Sequence, residues 1–292
     1  MDCEWEIYGD ESGHERYRAV GVLSGKKEDI VDLRKEISAS LLDNSCKEIE
    51  FKEIRGSSKD RKCACEVVKL GVACAAQKKI RIDVLVWDTQ DTRHTIEDRD
   101  DTKNLEIMYY RVLTHAFNCW KTKSLQWAFY PDENGKIKWE NIIAHTEKKN
   151  LSKDKALEQT LFGLVENMHI VAINDHKQVE SIKEPITQLI DVFTGFGRYS
   201  IENGSAFLKW REENKNKEQS CLFEAEKEED LSSNSDLARY EVLRCLDAEC
   251  KKNKLGVSIK GKGYLWTPKP SNPINYWLYE VQHQLDKAPL KG

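Results

Sequence analysis

The chain has 292 residues, and its 46 Lys and Arg against 50 Asp and Glu give a formal net charge of −4. Eight Trp, ten Tyr and eight Phe supply large apolar side chains for a core, which excludes a disordered chain. Six Pro and fifteen Gly are too few for a collagen-like protein, and the absence of a basic excess argues against binding duplex DNA by charge alone.

The sequence also bears on where the protein works. No apolar run approaches the ~20 residues of a membrane span, and the first residues, Met1 to Glu6, are acidic where a signal peptide is basic. We therefore expect a cytoplasmic protein without a membrane partner. The nine Cys are odd in number and irregularly spaced, which predicts reduced, mostly buried thiols and neither a disulfide framework nor a zinc site.

Apolar periodicity predicts strands and helices that alternate along most of the chain. The first part is predicted to contain strands over 5–8 and 17–23, helices over 27–42 and 61–77, a strand over 80–87, a long polar loop over 88–101 and a helix over 105–120. The second part is predicted to contain strands over 125–130 and 169–173, a helix from Glu184, a charged insertion over 209–230, and a helix with N-cap residues within 232–236 that reaches about Lys252. This order favours an α/β fold with a mixed sheet flanked by helices.

Aspartates follow four of the predicted strands. Asp10, Asp88, Asp132 and Asp175 each stand where a strand is expected to end. In open α/β sheets ligands bind at strand ends, so these side chains are candidates for a site. Aspartate is also a common turn residue, which explains each position taken singly.

The helix from Glu184 adds a second acidic pattern. Glu184, Gln188, Asp191 and Gly195 lie along one stripe, and apolar residues occupy the other side. A solvated surface face is the simpler explanation of the stripe. If these carboxylates converge, however, they require protons or cations between them, and hard cations such as Mg²⁺ or Mn²⁺ prefer oxygen ligands. A metal-dependent nuclease is the enzyme hypothesis that follows.

Several motifs resemble those of one family. Tyr8 to Gly13 resembles the Asp-Glu-Ser-Gly signature of the bacterial and phage family called domain of unknown function 3800, and Glu50-Phe51-Lys52 is similar to its Glu-x-Lys motif. The segment from Gln188 to Gly195 is similar to its C-terminal Gln-x-x-Asp-x-x-x-Gly helix, and Asp175 before Lys177 to its Asp-x-Lys. Together the motifs span residues 8 to 199 in the family's order.

The resemblance implies a ribonuclease H-like fold with residues 1–200 as the catalytic core. Residues 201–292 would be a charged insertion, a helix and a C-terminal extension packed on that core. The implied metal ligands are Asp10, Glu50, Asp132 and Asp191, with Glu11, Asp88 and Asp175 as a second tier. Asp132 lacks a distinctive surrounding motif, so Asp88 could take its role.

The implied chemistry is phosphodiester hydrolysis with two Mg²⁺ or Mn²⁺ ions. Asp10 would bridge both ions, Glu50 and Asp132 would complete one site each, and Asp191 would hold the second ion and the attacking water. Lys52 would neutralise the phosphate of the substrate, DNA or RNA, or would pair with a neighbouring carboxylate.

Other functions remain open at this point. The fold could serve as an inactive binding or sensor module in phage defence or on a mobile element. Of the functions considered, a thiol-based redox protein has the least support in the sequence. A cysteine with a low pKa would distinguish it from the others. Residues 209–231 could recruit a protein partner, and a homo-oligomer is also open. Among the histidines considered for proton transfer, His115 is expected to have a structural role, and His14 and His94 lie in polar segments.

Overall fold

The computed structural model describes residues 3–13, 15–91, 100–120, 125–147, 171–180, 183–214 and 234–280. The strands are β1 (Trp5–Ser12), β2 (Tyr17–Lys26), β3 (Ile80–Asp88), β4 (Leu125–Pro131), β5 (Val171–His176) and β6 (Ile274–Leu278). The helices are α1 (Lys27–Asp43), α2 (Ser58–Ala76), α3 (Asp101–Cys119), α4 (residues 139–147), α5 (Pro185–Glu213) and α6 (Asn234–Lys252), with a 3-10 turn at Phe51–Glu53. His14, His94 and residues 215–233 lie outside the described ranges.

The predicted α/β class, a mixed sheet flanked by helices, is confirmed. Several predicted boundaries differ from the structure, and three of these differences concern the candidate aspartates and the charged insertion. β1 continues to Ser12, so Asp10 lies inside the strand, and β5 covers Val171–His176, so Asp175 also lies inside its strand. Residues 209–213, assigned to the charged insertion, form the last turn of α5, because Phe207 and Trp210 still pack against Tyr240 there.

The sheet has six strands in the order β5-β4-β1-β2-β3-β6. β2 is antiparallel to both β1 and β3, whereas β4 is parallel to β1, β5 to β4 and β6 to β3. The C-terminal ends of β1, β3, β4 and β5 therefore lie along one edge of the sheet. That edge is where Asp10, Asp88, Asp132 and Asp175 are found.

Helices cover both faces of the sheet. α1, α2, α5 and α6 form the larger apolar core on one face, with Ile190, Phe193 and Phe196 of α5 fully buried. α3 and α4 cover the opposite face, where the Tyr109 and Trp139 rings lie 4.8 Å apart. The side chains of β1 alternate between these two cores, as expected for a strand buried on both faces.

α5 is held close to the centre of the sheet. Glu184 caps its first turn by accepting a hydrogen bond from the Ile186 N–H at 3.1 Å, and Pro185 occupies the first helical position. Gly21 of β2 lies beneath the helix, where a Cβ would overlap the Thr194 hydroxyl. This close approach places Asp191 over β1.

The C-terminal third is continuous with the rest of the fold. α5 runs through residue 200 without a break, and β6 extends the sheet beside β3. α6 packs against α2. Within the described ranges, no helix combines the length and the apolar character needed to cross a membrane.

Candidate carboxylate site

Asp10 and Asp191 meet beneath α5. Asp10 is only 5% exposed, and its side chain is hydrogen-bonded to that of Asp191. Burial raises the pKa of Asp10 well above its usual range, and the charges of Asp191, Glu11 and Asp132 raise it further. β1 and α5 thus bring together two carboxyl groups, of which Asp10 is buried and Asp191 is partly exposed.

The surroundings of Asp191 also raise its pKa. Burial raises its pKa to about 6, although the backbone N–H of Phe51 donates a hydrogen bond to its Oδ2 at 2.5 Å. The charge of Glu50 acts in the same direction as burial. Two carboxyls in contact, one of them buried, are stable only when they share a proton or when a cation lies between them.

The turn after Glu50 is fixed by side chains of α5. The Ile49 N–H donates to Gln188 Oε1 at 3.1 Å, one turn before Asp191 receives the Phe51 N–H. The Phe51 ring lies where a Cβ of Gly195 would be. The part of the predicted stripe from Gln188 to Gly195 therefore packs against the turn, and the alternative of a solvated face is wrong.

Lys52 and Glu50 form an ion pair at the rim of the site. Lys52 Nζ lies 2.6 Å from Glu50 Oε2, and this hydrogen bond raises the pKa of Lys52. The Lys52 side chain is 73% exposed and that of Glu50 is 24% exposed. Of the two roles considered for Lys52, the structure shows the pairing with a neighbouring carboxylate.

Glu11 is anchored from the opposite face of the sheet. Tyr109 Oη donates to Glu11 Oε2 and Asn134 Nδ2 donates to Glu11 Oε1, both at 2.6 Å. Burial raises the pKa of Glu11, while these two hydrogen bonds lower it. The sequence analysis missed Tyr109 and Asn134, although Asn134 stands only two residues after Asp132.

The structure separates the remaining candidates. Asp132 follows β4, its N–H donates to the Gly9 carbonyl at 2.8 Å, and its charge raises the pKa of both Asp10 and Glu11. Asp88 is instead bound by Arg16, with Nη2 2.8 Å from Oδ2. Asp175 is exposed in β5. The carboxylates brought near one another are Asp10, Glu11, Glu50, Asp132 and Asp191.

This donor set suits a hard cation. In the part of the chain that the structure describes, no three His, Cys, Asp or Glu side chains are already arranged to hold a metal ion. The charged side chains that act on Asp10, namely Asp191, Glu11 and Asp132, nevertheless offer carboxylate oxygens, the ligands that Mg²⁺ and Mn²⁺ prefer. The contact between Asp10 and Asp191 fits a divalent ion, because a cation would remove the repulsion between the two groups.

A distant arginine supports the turn. The Arg239 guanidinium of α6 lies 4.9 Å from the centre of the Phe51 ring and 5.6 Å from that of Tyr199. Its Nη2 also donates to the Lys52 carbonyl at 3.3 Å. No sequence motif links Arg239 to this turn, since 187 residues separate it from Lys52.

The fold and the site define an α/β protein with a carboxylate pair at one edge of its sheet. No protein-family model matches the chain. Two proteins of Methanothermobacter thermautotrophicus are similar to it over nearly their full lengths. Uncharacterized protein ORF2′ is 33% identical over 283 residues, which cover 94% of this chain and 93% of that protein. Uncharacterized protein ORF2 is 31% identical over 293 residues, 97% of each chain. The chain belongs to the family of these two proteins.

Proposed function

We propose that the protein is a divalent-metal-dependent nuclease that hydrolyses phosphodiester bonds of nucleic acid with two Mg²⁺ or Mn²⁺ ions. The observation that carries this proposal is the contact between buried Asp10 and Asp191, with the charge of Asp132 acting on Asp10 and that of Glu50 acting on Asp191. The resemblance to the domain of unknown function 3800 family supports it, because the motif residues Asp10, Glu50 and Asp191 lie together in the fold.

The sheet supports the ribonuclease H-like part of the proposal. β1, β2 and β3 form an antiparallel unit, and β4 and β5 continue the sheet in parallel on the other side of β1. This arrangement puts a central strand, β1, beneath α5. A nucleic-acid substrate and a cytoplasmic location belong to the same proposal.

The proposed roles follow from position. Asp10 interacts with Asp191 and with Asp132, so these three carboxylates, together with Glu50 beside Asp191, would hold the ions. When bound, the ions would supply Lewis-acid stabilisation and an activated water. The Phe51 N–H fixes the orientation of Asp191. Lys52, at the exposed rim, would contact a substrate phosphate.

The test is cleavage of labelled single- and double-stranded DNA and RNA with Mg²⁺ or Mn²⁺. Asp10→Asn and Asp191→Asn keep the side-chain shape but remove the charge, so each is expected to reduce cleavage by roughly 100-fold or more. Asp175→Asn is the matched control, because Asp175 is exposed on β5 and its substitution should leave the rate unchanged. Circular dichroism of each variant would show that the fold is kept.

Calorimetric titration with Mn²⁺ separates the remaining outcomes. Binding by the wild type that is lost in Asp10→Asn supports the metal site, and cleavage of one substrate class then identifies the substrate. A folded wild type that neither binds Mn²⁺ nor cleaves any of the four substrates contradicts the proposal, and would favour the inactive binding or sensor module.

A further inference from the structure

Helices α2 and α6 carry facing residues at intervals of four. Arg61 Nη1 lies 2.6 Å from Glu241 Oε2 across the two helices. One turn further along both helices, Cys245 Sγ lies 3.7 Å from the Cys65 carbonyl oxygen. Since the contacts advance in the same direction on both helices, residues four apart stay opposite one another. The contact between α2 and α6 therefore contains a pair of cysteines next to an ion pair.

The two cysteines are neighbours across the helices. Cys245 Sγ donates to the backbone carbonyl of Cys65, both thiols are free, and both residues are partly exposed. Cys46 and Cys63 are also neighbours, but Cys63 is fully buried, which protects that pair.

The surroundings make the two sulfurs chemically unequal. The hydrogen bond from Cys65 lowers the pKa of Cys245, and the positive charges of Lys69 and Arg244 lower it further, against the effects of burial and Glu249. The same hydrogen bond and burial raise the pKa of Cys65. The thiolate is the nucleophile in thiol chemistry, and the positive charges of Lys69 and Arg244 beside Cys245 favour the thiolate of Cys245.

We propose that Cys65 and Cys245 form a reversible disulfide that links α2 to α6. The oxidant is a low-molecular-weight disulfide of the glutathione type. The Cys245 thiolate attacks one of its sulfurs, which forms a mixed disulfide and releases one thiolate. Cys65 then loses its proton and attacks the Cys245 sulfur, which closes the internal S–S bond and releases the second thiolate. Two protein thiols are oxidised by two electrons, and the external disulfide is reduced to two thiols that carry the two protons.

The bond would fix the C-terminal part of the chain to the core. It joins residues that are far apart in sequence, and such cross-links stabilise the folded state by restricting the unfolded chain. Cys245 lies on the same helix as Arg239, which contacts the turn that binds Asp191. This inference rests on the cysteine geometry and is independent of the proposed nuclease activity.

The experiment equilibrates the folded full-length protein with reduced or oxidised glutathione, then alkylates free thiols and maps the peptides by mass spectrometry. We expect a peptide pair joined through Cys65 and Cys245, about 2 Da lighter than the two free-thiol peptides together. Oxidation is also expected to raise the Tm by roughly 5–10 °C. Excess reduced glutathione should return both thiols to the alkylated form and reverse the shift.

Single variants provide the controls. Cys65→Ser and Cys245→Ser should each abolish the joined peptide and the rise in Tm, whereas Cys119→Ser, at another partly exposed thiol, should keep both. The inference is overturned if the oxidised wild type leaves Cys65 and Cys245 fully alkylated. It is equally overturned if Cys245 stops at the mixed disulfide with glutathione. Both of these outcomes are measured on the wild type, so they test the inference even if a variant fails to fold.

Discussion

Gly195 shows how a single residue shapes the site. It lies on the stripe of α5 that carries Asp191, and the space next to its Cα is filled by the Phe51 ring. The ring contact and the hydrogen bond from the Phe51 N–H to Asp191 come from the same residue of the turn. A side chain at position 195 would therefore disturb both packing and the orientation of a proposed ligand.

Gly195→Ala tests this link. The added methyl group overlaps the Phe51 ring, so we expect the free energy of unfolding to fall by about 1–3 kcal/mol, in spite of the higher helix propensity of alanine. Mn²⁺ affinity should fall as well. Urea denaturation measures the first effect and calorimetry the second. Gly135→Ala is the control, because the space that its Cβ would occupy is open, with no contact within 4 Å. An unchanged unfolding free energy for Gly195→Ala would contradict the packing argument.

At the scale of elements, one buried polar network joins α1, β1 and the start of α5. Arg34 of α1 donates to Tyr8 Oη at 2.6 Å and to Glu184 Oε1 at 2.9 Å. Tyr8 in turn donates to Glu6 Oε2 at 3.1 Å. Burial raises the pKa of Glu6, and the Tyr8 hydrogen bond and the Arg34 charge oppose that effect. Arg34 is thus the cation that compensates two largely buried acids.

Arg34→Ala is expected to lower the free energy of unfolding by about 2–3 kcal/mol, because it leaves Glu6 and Glu184 without their cation. Lys35→Ala is its neighbour control: Lys35 pairs with Asp32 at 3.0 Å, but both side chains are about 70% exposed, so a change within about 0.5 kcal/mol is expected. Equal losses in the two variants, measured by urea denaturation, would show that the network adds no more than a surface ion pair.

At the scale of the whole molecule, a buried aspartate connects α3, β3 and the segment before β6. Asp83 is fully buried and receives two hydrogen bonds from Arg81, whose guanidinium also donates to the Pro270 carbonyl at 3.0 Å. His115 of α3 lies 3.4 Å from Asp83 and 3.0 Å from Asn275 of β6. The structural role expected for His115 fits this position.

This cluster predicts a pH dependence of stability. Burial alone would lower the pKa of His115, but the hydrogen bond and charge of Asp83, together with Cys119, raise it to about 10, against 6.5 for an ordinary histidine. A raised pKa means that the folded state holds the proton more tightly, so the stabilisation is complete below about pH 6.5 and is lost as the pH rises towards about 10.

The measurement is urea denaturation of wild type and His115→Gln across that interval. The difference in unfolding free energy between the two proteins should shrink steadily as the pH rises, because only the wild type loses a bound proton. Taking the difference removes the contribution of other groups that titrate at alkaline pH. A difference that stays constant with pH would contradict the assignment of the proton to His115.

The sequence by itself determined the elements and the acidic candidates. Backbone geometry imposes periods of two and 3.6 residues on apolar side chains, so α1, α3 and β3 were located to within a few residues. The motifs that singled out Asp10 and Asp191 are also local patterns, because each consists of residues that lie close together in the sequence. The ends of the strands were predicted less accurately, since the backbone of a polar residue such as Asp10 can still pair with a neighbouring strand.

Only the tertiary structure decided which residues meet. The strand order places Asp132 near Asp10 and leaves Asp88 with Arg16. The packing of α5 and α6 fills the space beside Gly195 and brings Cys65 to Cys245. These contacts join segments that are far apart in the sequence, and they depend on the sum of many burial and hydrogen-bond energies that no local pattern in the sequence contains.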